Sequence, residues 1–217
     1  MNFPERTKLN KIMPKAKFIK MIGFNAPAKN EFQANVERLV LANILRKDTI
    51  NIVAGKNVQE INVLELTLKT KSVSDNLLKE IDAVVPKYLI YLLKYQDKVQ
   101  LAINYKEKSG SNNKFKVLTT YRTDWIESSD FNLKIEGLNL DTVLNNFIIQ
   151  LADGRIETTE NTEIKDAVEK SIDIDKLEKK LTQAQKKMWN EKQANTQLEL
   201  SREVKKLKKT LEKMTDG

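Results

Sequence analysis

The stretch Val58–Lys69, read VQEINVLELTLK, holds the residues best placed for chemistry. Glu60 opens it, and Glu65 is followed four positions later by Lys69. A strand carboxylate joined by a second acid on a neighbouring strand can hold Mg²⁺, and a lysine two positions further on can stabilise a hydroxide or a phosphate charge. The spacing falls short of that need. Thr67 stands where the lysine is wanted, and the preceding run Thr49–Val53 offers Asn51 where the second acid is wanted. An E-x-x-x-K pair is also what any half-exposed strand face carries.

Asp82 is a further candidate. It falls in the last turn of a predicted helix, where the helix dipole disfavours a negative charge. It therefore calls for a partner, such as Lys106 or a backbone N–H, unless the helix end is simply exposed. Tyr88, Tyr91, Tyr95, Tyr105 and Tyr121 lie on or beside apolar runs. Aromatics interleaved with lysine can stack nucleobases. With only 6% aromatic residues, core packing is the first use expected of them. The chain has no Cys and no His. That excludes disulfides, thiolate–imidazole zinc sites and nucleophiles activated by imidazole. There is no Walker loop or dinucleotide fingerprint.

The net charge is +8, unevenly spread. Residues 1–20 carry Arg6, Lys8, Lys11, Lys15, Lys17 and Lys20 against Glu5 alone. Residues 153–175 hold eight carboxylates and three cations, and residues 176–213 hold twelve cations and five carboxylates. Two basic ends are an electrostatic footprint for nucleic acid or an acidic partner. The expected contacts are Lys11, Lys15, Lys17 and Lys20 at one end and Lys205, Lys206, Lys208 and Lys209 at the other. Solvation of a helix surface would also account for such lysines. No 18-residue apolar run and no secretory signal pattern are present, so no membrane is expected and the cytoplasm is the expected location.

The elements that must position these groups follow from periodicity. In Val58–Lys69, Leu64, Leu66 and Leu68 share one face of a strand. Ile61, Val63, Glu65, Thr67 and Lys69 share the other, which leaves shelter toward Lys69. Before it, Pro14 to Gly23 reads as a short helix, Asn25–Ala28 as a connector and Lys29–Lys47 as a long amphipathic helix. Thr49–Val53 reads as a strand forming a hairpin with the central one. After it come a helix capped by Ser72 or Ser74 and ended by Pro86, then strands at Lys87–Leu93, Lys98–Tyr105 and Phe115–Tyr121. Ser109–Asn113 is a loop. Thr123–Trp125 is an edge or loop, and Asn139 caps a helix running to Leu151.

The fold class expected is α+β. It has a mostly antiparallel sheet of about five strands with packed helices, followed by a long C-terminal coiled-coil-like helix. The domains expected are 1–152, an acidic linker over 153–172 that is helical in part, and a basic amphipathic helix over 173–217. In that helix Leu177, Leu181, Ala184 and Met188 form one stripe, and Leu200, Val204, Leu207, Leu211 and Met214 form another, offset by two residues across a polar stretch. With no Gly or Pro between them, one bent helix is expected rather than a hairpin. A narrow stripe wants one matching surface, which predicts a homodimer through 174–214, a partner helix or an internal strut. In an antiparallel dimer the acidic 157–178 segment of one chain would meet the basic 202–213 segment of the other.

Two resemblances bear on function. A helix, a hairpin carrying an acid and a second helix is the order of metal-dependent nucleases of the PD-(D/E)xK type. Under that alternative Glu65 and Lys69 are catalytic and Mg²⁺ is the cofactor; otherwise no cofactor, no metal and no catalysis are expected. The second covers most of the chain. PKAKF at 14–18, DTINI at 48–52, VQEINVLELTLK at 58–69, LLKEIDAVVPKYLIYLL at 77–93, INYKEK at 103–108, TDW at 123–125 and EKQANTQLELSREVKKLKKTL at 191–211 stand in one order. Together they resemble a bacterial family known as domain of unknown function 4391, with 153–172 the least matched part. The sequence departs from that family in Asn25-Ala-Pro-Ala and in its sparse aromatics. The resemblance implies an accessory role in restriction-like or phage-defence systems, beside a helicase or DNA methyltransferase partner, and brings no catalytic residues. A structural dimer without nucleic acid is the third reading.

Overall fold

The computed structural model describes residues 3–109, 114–128, 132–156 and 163–215. The period-two run forms strand β3 (Ile61–Leu68) inside a mixed sheet. Its neighbours are β2 (Val36–Leu45), antiparallel, and β4 (Tyr88–Tyr95), parallel. A parallel pair needs a crossover, and α4 (Asp75–Val84) supplies it. Beyond β4 lie β5 (Lys98–Ser109) and β6 (Lys114–Arg122), with the two-residue β7 (Ile126–Glu127) also on β5. At the other edge β1 (Lys8–Ile12) pairs with β2. The described residues thus hold seven strands where about five are expected, and every pairing but one is antiparallel.

One face of the sheet carries α1 (Lys15–Ile22), α2 (Ala26–Asn35) and α4. Leu64, Leu66 and Leu68 pack there with Phe18, Phe32, Leu77 and Ile81. The opposite face of β3 starts with Ile61 and Val63 fully buried and ends exposed at Lys69, as the alternation predicts. Following the short α3 (Lys47–Ile50), α5 (Leu140–Ala152) covers β5 and β6, and its Phe147 meets Phe3 at 6.1 Å. The expected caps form. Ser74 accepts from the Leu77 N–H at 3.2 Å, and Asn139 from the Thr142 N–H at 3.0 Å. Gly23 ends α1 with φ 70°, the left-handed region that costs glycine least. The Asp141 carboxylate in the first turn of α5 accepts from the N–H groups of Lys56, Asn57 and Val58 at 2.7, 3.1 and 2.7 Å. Gly55 is required beside it, because a Cβ there would stand 2.4 Å from Asp141.

Several expectations are corrected. The helix expected over Lys29–Lys47 ends at Asn35, and strand β2 takes over. Two irregularities in the β2–β3 register, at Val36/Arg38 and Leu41/Asn43, explain the misreading. Each bulge shifts the alternation by one residue, so buried Val36, Leu39 and Val40 fall at helix-like spacing on a strand. Asn25 is no mere connector: its side chain caps α2, accepting from the Ala28 N–H at 2.9 Å. Thr49–Val53 is not a strand: α3 occupies its start, Asn51 has φ 59°, and Val53 makes an isolated bridge to Asn139. The antiparallel partner of β3 is therefore β2. The basic N-terminal segment, for which charge alone is the signal, contributes β1. Of the loop expected at Ser109–Asn113, Ser109 ends β5 and 110–113 lie outside the described residues.

The chain divides into two compact units, Met1–Gly154 and Arg155–Gly217. The second consists of α6 (Ile164–Asn190) and α7 (Ala194–Thr215). The part of the expected linker from Ile164 onward is thus helical, and 157–162 lie outside the described residues. The single bent helix is corrected to a hairpin: residues 191–193 are non-helical, and α7 packs back along α6. No glycine or proline is needed, because Glu191 breaks the run through its own side chain. Its Oε1 accepts from the N–H groups of Lys192 and Gln193, both at 2.8 Å, groups at a helix start that would otherwise lack partners. Ala184 and Val204 are buried, and Leu177, Leu181, Leu200, Leu207 and Leu211 are half-buried among exposed neighbours. The two stripes are each other's surface, so their two-residue offset needs no stutter. The fold-back also returns the basic 202–213 segment toward the half of α6 that carries Asp173, Asp175 and Glu178. Among the described residues no helix is long and apolar enough to cross a membrane.

Candidate functional site

Three places carry the groups singled out in the sequence. The first is Glu65. It sits on β3 opposite Val40 of β2 and Leu92 of β4. Its carboxylate pairs with Lys94 of β4 at 2.7 Å, and both side chains are partly exposed. Lys69 shares its face of the chain, but four strand residues separate the two by about 13 Å. The Lys69 ammonium lies instead 3.4 Å from the Gln33 carbonyl. Glu60 is 3.9 Å from Lys87. Asn51 caps α3 and is on no strand. Among the described residues no three of His, Cys, Asp and Glu form a group able to hold a metal ion. The structure does not bring Glu65, Lys69 and a second acid together.

The second place is inside the fold. Asp82 in the last turn of α4 meets Lys106 of β5 at 2.8 Å, the partner named from the helix-dipole argument. Tyr91 of β4 and Asn104 of β5 each donate to Asp82 Oδ2 at 2.7 Å. Thr120 of β6 extends the network, donating to Asn104 Oδ1 at 2.6 Å. Lys106 also donates to the carbonyls of Asp82, Val85 and Lys87 at 3.2, 2.9 and 2.7 Å. It lies over the rings of Phe115 and Tyr88, at 4.4 and 5.4 Å. Every group around Lys106 accepts and every group around Asp82 Oδ2 donates, the pattern of a charged pair. Burial raises the Asp82 carboxyl, against the charge and hydrogen bond of Lys106 and the hydrogen bonds of Tyr91 and Asn104. Burial lowers the Lys106 ammonium, against the pull of Asp82. With side-chain exposures of 1% and 0%, the two are closed to any substrate. Their work is to close the C-terminal end of α4, whose carbonyls lack helical partners, onto β5.

A pH experiment reads this network. Burial, then the Asp82 charge and hydrogen bond, pushes the Tyr91 phenol well above its usual range. Below about pH 10 the phenol holds its proton folded and unfolded alike. Above that only the unfolded chain loses it, so stability falls with rising pH by about 1.4 kcal/mol per unit until the folded phenol ionises. The stability difference between wild type and Tyr91→Phe should therefore be flat to about pH 9 and shrink above about pH 10. A difference unchanged at pH 11 in urea titrations would show that Tyr91 is not held neutral by the fold.

The third place is the set of basic surfaces. Lys11 on β1 and Lys17 and Lys20 on α1 are exposed and in no ion pair among the described residues. Lys15 is withdrawn from the cluster: it is half-buried, donates to the Val36 carbonyl and lies 5.6 Å over the Phe32 ring. Burial and the nearby Lys69 charge lower its pKa, with Glu37 opposing. Lys205, Lys206, Lys208 and Lys209 are all exposed on α7, and none is in an ion pair with a described residue. The two sets belong to different units. The tyrosines go to the interior or its margins, with Tyr91 and Tyr121 fully buried. The aromatic that sequence reasoning misses is Trp189, 76% exposed near the end of α6. Its only sequence signal is its position outside the apolar stripe.

Neither the search of curated proteins nor that of solved structures finds a match. The family search does: the model described as Domain of unknown function (DUF4391) covers residues 1–211. The chain belongs to that family.

Proposed function

We propose that the protein is a non-enzymatic accessory component of a bacterial DNA-handling system of the restriction or phage-defence kind. In this reading it acts in the cytoplasm, beside a helicase or DNA methyltransferase, and holds nucleic acid through its basic surfaces. The observation that carries it is the row Lys205, Lys206, Lys208 and Lys209: four exposed cations on one helix with no described acid paired to them. Lysines presented this way suit phosphates, whereas the buried pair at Asp82 and the Glu65–Lys94 pair are already engaged.

The test is a salt titration of binding to a fluorescent duplex. Log affinity should fall linearly with log salt. Replacing the four α7 lysines by glutamine should lower the slope by up to about 3.6, at about 0.9 for each phosphate no longer neutralised. Lys11→Gln, Lys17→Gln and Lys20→Gln should act in the same direction, and Lys15→Gln should change stability more than binding. Absence of binding at low salt would remove the reading. Mg²⁺-dependent cleavage of supercoiled or single-stranded DNA, lost in Glu65→Ala and Lys69→Ala, would replace it with the nuclease alternative.

A further inference from the structure

The tip of the α6–α7 hairpin combines features that no packing role explains. Trp189 is 76% exposed, although tryptophan is normally well buried. Lys186 stands three residues before it, one helical turn away on the same side. Lys187 and Lys192 flank it, and all three lysines are exposed and in no ion pair with a described residue. The acid at the turn, Glu191, is occupied by the N–H groups of Lys192 and Gln193. A cleft of about 610 Å³ opens at the same tip, lined by Lys186, Lys187, Asn190, Glu191 and Thr196 among others, with Trp189 outside its lining. An aromatic face, unpaired cations and amide and hydroxyl groups are thus gathered at one end of the second unit.

We infer that this hairpin tip is a binding site for single-stranded nucleic acid, with Trp189 as the platform for one base and Lys186, Lys187 and Lys192 as phosphate contacts. The inference rests on the reading above and narrows it from basic surfaces in general to unpaired strands at one place. A tryptophan face stacks on any base, but only when that base is free of its own stack. Duplex bases are not free, so Trp189 gives preference for single strands while the lysines serve either form. Lys186 and Lys187 also line the cleft, whose amide and hydroxyl groups offer donors and acceptors to nucleotides next to the stacked one. A membrane surface fits less well. Interfacial helices bury a continuous apolar face, whereas among the described residues of this unit only two large apolar side chains are exposed, Trp189 and Leu198, with exposed lysines around them.

The experiment uses the full chain carrying Trp125→Phe, so that fluorescence reports Trp189 alone. The ligands are a 20-nucleotide oligothymidylate, a 20-base-pair duplex and vesicles of phosphatidylglycerol and phosphatidylcholine. Oligothymidylate is expected to quench Trp189. Trp189→Ala, followed by a fluorescein-labelled strand, should bind it roughly 5- to 150-fold more weakly, as one stacked base requires, with duplex affinity and melting unchanged. Replacing Lys186, Lys187 and Lys192 by glutamine should reduce the single-strand salt slope by up to about 2.1. Single-strand affinity unchanged in Trp189→Ala would overturn the site and leave the basic-surface reading standing. An equal loss for duplex and single strand would also overturn it, as would quenching by vesicles but not by oligothymidylate. Absence of binding to either nucleic acid would sink both.

Discussion

Lys106→Met should lower the unfolding free energy by about 3–5 kcal/mol, the range for removing one partner of a buried ion pair. The carboxylate of Asp82 would be left buried with only Tyr91 and Asn104 to solvate it. The carbonyls of Asp82, Val85 and Lys87 would lose their donor at the same time. For a chain of this size each kcal/mol moves the melting temperature by about 2–4 °C, so a drop of about 6–20 °C is expected. Urea melts followed at Trp125, in a Trp189→Phe background, report the unit that contains the pair. The double variant Asp82→Leu/Lys106→Met sharpens the test. Replacing both partners of a buried pair by apolar groups is often neutral or stabilising by about 1–4 kcal/mol. Here three carbonyls and the Asn104 amide would still be stranded, at about 1–3 kcal/mol for each group left fully unsatisfied, while Tyr91 keeps the Leu78 carbonyl, 3.1 Å away, as its acceptor. The double variant should therefore stay less stable than wild type. A single variant within about 1 kcal/mol of wild type would mean that Lys106 does not fasten α4 to the sheet, since that lies outside the range for a broken buried pair.

Phe32→Ala should cost a similar amount, about 3–5 kcal/mol, by the loss of transfer energy and the cavity left behind. Phe32 is fully buried, with the rings of Phe18 and Phe24 at 5.6 and 5.3 Å. The ten-residue α2 buries only Ala28 and Phe32, so this side chain is its anchor. A helix that short is marginal without packing. The variant should lose helical circular dichroism on mild heating before the main transition. Phe32→Leu keeps most of the volume and should cost clearly less. A melt unchanged in Phe32→Ala would show that α2 is held by its Asn25 cap and by chain continuity with β2 instead.

How far these residues could be found from sequence differs from place to place. Asp82 announced itself because a carboxylate at a helix C-terminus opposes the dipole, and Lys106 followed as its partner. Tyr91, Asn104 and Thr120 did not, because three strands contribute them and nothing local marks their convergence. Glu65 and Lys69 drew attention through spacing alone, and strand rise separates them. Lys15 counted as one lysine of a cluster until packing gave it the Val36 carbonyl and the Phe32 ring. Trp189 fell outside every apolar stripe. A side chain that sits on no pattern is silent in sequence, and its exposure marks it only in three dimensions.

By itself the sequence determined what short-range physics decides. It set β3 and its two faces, the buried β4, the caps at Ser74 and Asn139, the glycine stop after α1, the α+β class and the absence of imidazole and thiol chemistry. These rest on side-chain alternation, hydrogen-bonding groups next to helix ends and composition, all local quantities. Tertiary structure decided the rest. Bulges on β2 turned a helix-like spacing into a strand, because pairing with β3 satisfies the backbone despite the broken alternation. The crossover through α4 made β3 and β4 parallel and brought Lys94, rather than Lys69, to Glu65. In the second unit the stripes and Glu191 were legible one by one. Their meaning changed when α7 folded back on α6, since burying two narrow apolar faces against each other satisfies both within a single chain.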